Sequence, residues 1–200
     1  MRGAWLALSS ERERKHVRLN TLSEKGMSMK RSAIIIASLL FLTPSAISAQ
    51  TVSDAQIASI VVTANQVDIA AGKLAASKAS SPEVTKFGQQ MVTDHTSVNK
   101  QATALVTRLK VAPEDNATSL TLKAGGDKNI ANLKSLRGAN FDKAYIDHEV
   151  TYHQAVIDAI DKTLVPGAQN AELKALLVKV RPAFVAHLEH AKMIQSSLAK

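Results

Sequence analysis

Five polar residues in an alanine-rich chain have the types and spacings that metal or acid–base chemistry needs: Asp68, His95, Glu149, His153 and His187. Glu149 and His153 are four residues apart, which on a helix puts a carboxylate and an imidazole on one face. That face is otherwise apolar, with Phe141, Tyr145, Tyr152, Val156 and Ile160 recurring at helical spacing. Asp68 falls between Ala64 and Ala71 on a second apolar stripe. His95 lies between Met91 and Val98 on a third, and His187 between Phe184 and Ala191 on a fourth. An unpartnered polar group in an apolar interior is costly, so these side chains must find partners, and the nearest candidates are one another.

Imidazoles with carboxylates suit a divalent transition ion such as Zn, Fe, Mn, Ni or Cu, and ligand type alone does not choose among them. The core of a helical bundle is where such sites are built. The same residues can also satisfy one another without metal. Asp68 with His95, and Glu149 with His187, would then form a polar layer that fixes helix register. Both readings stay open on the residues alone. Tyr145 and Tyr152, on the helix that carries Glu149, are placed to support either arrangement from behind.

Other residues offer less. His190 is three after His187 but should point off the core, and His148 sits at the edge of its stripe. Asp94 adjoins His95 and cannot face it along one helix, so it should reach another helix or solvent. With no cysteine, thiolate ligands, thiol nucleophiles and disulfides are excluded. The chain contains no nucleophile elbow, P-loop or dinucleotide fingerprint. No catalytic residue is assigned.

The elements that must position the five residues are all helical. A first helix runs from a cap at Asp54 to about Ser80, with Ile57, Ile60, Val61, Ala64, Val67, Ala71 and Leu74 in its stripe. Ser81-Pro82-Glu83 supplies a cap, a proline at the first helical position and an early acid. The second helix then continues to about Lys110, forming an antiparallel hairpin with the first. Pro113, Gly125 and Gly126 weaken the next stretch, where Ile130, Leu133 and Leu136 suggest a short helix in its second half. A connection this long can cross a bundle and return the chain to its starting end. The third long helix, capped by Asn140, ends near Leu164, and the fourth starts after a cap at Asn170 with Pro182 inside it. The expectation is an all-α, ferritin-like antiparallel four-helix bundle with a long crossover, carrying a short helix, between its second and third helices.

Helical rise puts Asp68 and His95 at matching heights, roughly 20 Å from the turn that joins their helices. His153 and His187 match less well, by roughly 9 Å.

The full chain has 25 Lys and Arg against 17 Asp and Glu, a formal charge of +8. Eight of the basic and three of the acidic residues precede Gln50, so residues 50–200 carry only about +3, an ordinary surface with no case for nucleic acid. Met29-Lys30-Arg31, the apolar run to Leu42 and the small residues before Gln50 read as a secretory signal at 29–49, cleaved after Ala49. The apolar run is about ten residues, half of what a membrane span needs, and no span is expected in the mature chain. Residues 1–28 precede credible starts at Met27 and Met29, and read as an over-extended start or a long basic region. The mature domain is 50–200.

Three segments, Asp68–Asn99, Asn140–His153 and Arg181–Ala191, carry a resemblance over about residues 53–198. They resemble the exported bacterial family known as domain of unknown function 4142 (DUF4142), chiefly through Met91-x-x-Asp94-His95 and Pro182-x-x-x-x-His187-Leu188. The resemblance implies a ferritin-like fold and a periplasmic or outer-membrane-associated location. It places the family's acidic position on Asp68 and its histidines on His95, His153 and His187. It implies no defined biochemical activity. The di-iron ferritins carry carboxylates on all four helices and two Glu-x-x-His pairs, which this chain lacks at the relevant positions. A mononuclear, histidine-rich site for Zn, Fe, Mn or Cu is therefore the metal expectation, and a metal-free envelope structural or interaction protein, with an unknown envelope partner, is the competing one.

Overall fold

A computed structural model describes residues 52–200, which belong to one compact unit. The expected signal at 29–49 and the leading residues 1–28 lie outside the described residues. All regular structure within the described residues is helical: α1 (Asp54–Lys78), α2 (Pro82–Arg108), α3 (Ala117–Ser135), α4 (Gly138–Ala159) and α5 (Ala171–Leu198). None of these helices is long and apolar enough to cross a membrane.

Helix α1 begins one residue earlier than the Asp54 cap would require. Ser53 caps it in a reciprocal box with Gln56, satisfying two otherwise orphaned N–H groups. Asp54 instead accepts hydrogen bonds from the backbone N–H groups of Gln169 and Asn170, at 2.9 Å each, and so ties the start of α1 to the start of α5. Asn170 caps α5 as expected, accepting from Glu172 and Leu173. Pro82 is the first residue of α2, where its missing N–H costs nothing.

Helices α1 and α2 pack most extensively, α4 packs on α5, and α2 meets α5. The closest approach of α1 and α2 is at Gly72 and Gly88, where a Cβ on either would sit 2.8 Å from the other's carbonyl oxygen. Glycine is required there by space. The α1–α2 turn is held to α4 by Asp142, whose two carboxylate oxygens accept from Ser80 and Ser81 N–H at 3.0 and 2.8 Å.

Other expectations are corrected. The connection after α2 carries a 19-residue helix, not a short one in its second half. Gly125 and Gly126 lie inside α3 and do not break it. A Cβ on Gly126 would meet the Val67 side chain at 2.6 Å, so the glycine lets α3 lie close against α1. Asn116 supplies the missed cap, accepting from Thr118 and Ser119 N–H. Helix α4 starts at Gly138, ahead of the expected cap at Asn140, and Gly138 itself takes the left-handed backbone conformation (φ 56°) that glycine tolerates.

The helical path of α4 does not stop at Leu164. It widens into a π-helical turn over Ile160–Leu164 and continues as a short helical turn, Val165–Gly167. Those extra residues add rise on the α4 side. The expected mismatch between His153 and His187 falls from roughly 9 Å to roughly 4–5 Å, small enough for the chain to absorb.

Candidate metal centre

The five residues come together. Asp68 of α1, His95 of α2, Glu149 and His153 of α4, and His187 of α5 are each no more than 3% exposed. The His95, His153 and His187 ring centroids are 5.3–5.6 Å apart, forming a triangle of imidazoles. Phe184 packs against His95 at 5.1 Å and His153 at 6.0 Å and closes one side of the triangle. Asp68 Oδ2 is 2.8 Å from His95 Nε2 and 3.5 Å from His153 Nε2. Glu149 Oε2 approaches His153 Nδ1 at 3.4 Å.

Each imidazole has one nitrogen occupied and one bare. His95 Nδ1 is 2.8 Å from Asn65 Oδ1, and Asn65 in turn donates its Nδ2–H to the Val61 carbonyl at 2.7 Å. With its amide fixed that way, Asn65 can only accept from His95, so His95 carries its proton on Nδ1. His153 Nδ1 donates to the Glu149 carbonyl at 3.1 Å. His187 Nε2 meets Asp94 Oδ2 at 2.9 Å. The remaining atoms, His95 Nε2, His153 Nε2 and His187 Nδ1, are buried without a hydrogen-bond partner, as are both carboxylate oxygens of Asp68 and of Glu149. The 2.8 Å contact between His95 Nε2 and Asp68 is close, but it is not an N–H···O bond: with the proton on Nδ1 it sets a nitrogen lone pair against the carboxylate, an approach that a cation would relieve.

Burial and mutual charge set the protonation. Burial pushes Glu149 well above the usual carboxylate range, and the neighbouring Asp68 charge adds to it. Burial acts on Asp68 in the same direction, but the three histidines outweigh it and hold Asp68 below its ordinary value. Burial pushes His153 down to about 4 and lowers His187 as well. Tyr145 is raised by burial and by Glu149, beside which its hydroxyl lies without a well-formed hydrogen bond.

The donor atoms fall into two overlapping groups that share His153. Those of His95, His153 and His187 lie within 4.8 Å of one another, and so do those of Asp68, Glu149 and His153. Ligands about 2.0–2.2 Å from one ion can be at most about 4.4 Å apart, so either group needs only a small contraction to bind. The residues fit a metal ion on their chemistry too, since the bare nitrogens and Asp68 supply lone pairs, and Glu149 can join them by giving up its proton.

The supporting residues were only partly expected. Asp94 reaches across to α5, as its position beside His95 implied, and its partner there is His187. Tyr152 donates to the Ala64 carbonyl at 2.8 Å and so braces α1, not a candidate ligand. His190 is half-buried against Phe87, with Nδ1 3.3 Å from Gln90 Oε1, and stays out of the cluster. His148 stacks on Tyr152 and also stays out. Asn65 is the residue that sequence reasoning missed. Its signal was available: it lies three residues before Asp68, hence on the same face, and asparagine is a poor residue for a helix interior.

Residues 42–194 match the family described as Domain of unknown function (DUF4142). The chain belongs to this family. No curated protein matches it significantly, and neither does any solved structure. The cluster therefore stands on its own geometry, and the DUF4142 match adds kinship without an activity.

Proposed function

We propose that this DUF4142 protein is an exported, periplasmic helical protein that binds one divalent transition-metal ion in its core. In this reading α1, α2, α4 and α5 make a ferritin-like four-helix bundle, with α3 as the crossover. His95 Nε2, His153 Nε2 and His187 Nδ1 are the primary ligands, Asp68 completes the set, and Glu149 approaches from the carboxylate side. Export is supported by the basic and apolar segments within residues 29–49.

The observation that carries the metal reading is the asymmetry of the three imidazoles. In each, an acceptor (Asn65, the Glu149 carbonyl or Asp94) takes the outer nitrogen, and the inner nitrogen is left bare and buried. Outer acceptors of this kind fix the tautomer and raise the basicity of a histidine that ligates a metal. Charge also favours it: a divalent cation balances the Asp68 and Glu149 carboxylates in a site that water does not reach.

The competing reading is a metal-free envelope structural or interaction protein. The short contact between Asp68 and His95 favours it, since a proton on Nε2 would make that contact an ion pair. Thermal melting with added Zn, Fe(II), Mn or Cu separates the two. Binding to the folded state raises the melting temperature by mass action, and the rise should vanish in a His95→Ala, His187→Ala double variant. A melting temperature that no ion changes favours the metal-free network.

A further inference from the structure

Beside the histidine cluster, and separated from it by the Phe184 ring, lies a cavity of about 250 Å³ that metal binding does not use. Its inner wall is built from Ile60, Val98, Leu177, Val180 and Phe184. Its outer rim includes the exposed Thr118 on α3 and Ala155 on α4, so it opens to solvent between those helices. Two residues of the π-helical turn, Ile160 and Leu164, complete it. A π turn is a rare local widening of a helix and occurs mostly where function calls for it. Here it brings both side chains onto the cavity.

The polar groups on the wall decide what the cavity can hold. Asn65 spends its oxygen on His95 and its amide on the Val61 carbonyl. Tyr152 spends its hydroxyl on the Ala64 carbonyl. Each of these polar groups is thus already engaged on the protein, and the rest of the wall away from the rim is apolar. Water needs two to four polar partners to stay in such a place, and a cavity of about 150 Å³ lined by aliphatic and aromatic side chains stays dry and takes up benzene.

We infer that this cavity is a binding site for a hydrocarbon group: a small arene, or an alkyl chain of about six to eight carbons. The group inside carries no polar atom, and any polar head stays at the α3–α4 mouth. Phe184 and Tyr152 provide aromatic surfaces for it, and Leu122 of α3 covers it from outside. The site does not depend on the metal reading, because none of its walls needs an ion in place.

The test uses toluene and octanoate as probes, with methyl NMR spectra of the protein as the readout. Saturable shifts are expected at Ile60, Leu122, Val156 and Val180, with Leu74 and Leu198, in the opposite half of the core, unmoved. Binding of toluene alone identifies a free hydrocarbon as the ligand, and binding of octanoate identifies an acyl tail with its carboxylate at the mouth. Ala159→Leu fills the cavity from α4 and should weaken binding about ten-fold or more without lowering stability. Leu122→Phe does the same from α3 if the first variant does not fold. Absence of shifts with both probes overturns the inference, as does binding that a folded cavity-filling variant leaves undiminished.

Discussion

Replacing Gly88 with alanine should destabilise the protein, although alanine is the better helix former by about 1 kcal/mol. The added Cβ would sit 2.8 Å from the Gly72 carbonyl oxygen, 2.9 Å from Ala75 Cβ and 2.9 Å from the Ala76 nitrogen. Two of those atoms are backbone, so no change of rotamer relieves the clash. Comfortable non-bonded separations are about 3.5–4.0 Å, so α1 and α2 must part by roughly 0.7 Å or more. Overpacking of this kind costs about 1–3 kcal/mol. Set against the propensity gain, the net loss is up to about 2 kcal/mol, or as much as roughly 8 °C in melting temperature for a domain of this size. Asp68 lies four residues before Gly72 and His95 seven after Gly88, so the same movement widens their 2.8 Å contact and should weaken metal binding. Urea titration followed by circular dichroism reads the stability change. Gly125→Ala is the control: nothing lies within 4 Å of its Cβ, and the variant should gain up to about 1 kcal/mol. A Gly88→Ala protein that gains the full propensity increment of about 1 kcal/mol, as Gly125→Ala should, would refute the claim that space, not flexibility, keeps glycine there.

Four further outcomes are expected. Asn65→Ala removes the acceptor that fixes the His95 tautomer and should weaken metal affinity about 10- to 100-fold by calorimetry; unchanged affinity would remove Asn65 from the site. His153 is held near 4 when folded, well below its unfolded value, so its contribution is present above about pH 6.5 and is lost as pH falls towards 4. That loss is about 3 kcal/mol for the metal-free protein. Glu149 is shifted the other way, so its contribution is present at low pH and lost as pH rises through its raised value; metal binding should then release a proton and tighten with pH. Calorimetry in buffers of different ionisation enthalpy checks the proton release, and an enthalpy independent of buffer would count against a Glu149 that ionises on binding. Tyr145→Phe removes a buried hydroxyl that makes no hydrogen bond and should leave the unfolding free energy, read by urea titration, within about 1 kcal/mol of the parent. A larger drop would mean that the hydroxyl holds Glu149 more firmly than its geometry shows.

Periodicity made the long helices legible, and the same stripes exposed the five polar residues, because a charged or imidazole side chain stands out among Ala, Val and Leu. What periodicity could not show lies in the exceptions. Gly125 and Gly126 read as helix breakers, whereas Gly126 is there to admit the Val67 side chain, a long-range contact with no local signature. The π turn at Ile160–Leu164 has no sequence pattern of its own, yet with Val165–Gly167 it reduces the height mismatch between His153 and His187. Asn65 carries no such contrast with its neighbours, and its role comes from an amide that spans His95 and the Val61 carbonyl. Asp94 could be placed off its own helix from spacing alone, but its partner His187 is 93 residues away.

Elemental analysis of the purified protein after equilibrium dialysis against zinc, iron, manganese and copper addresses the core site most directly. About one equivalent of a single divalent ion per chain is expected, held by nitrogen and oxygen ligands about 2.0–2.2 Å away and lost in the His95→Ala, His187→Ala double variant. Protein that stays metal-free under every one of these conditions, while remaining folded, would contradict it.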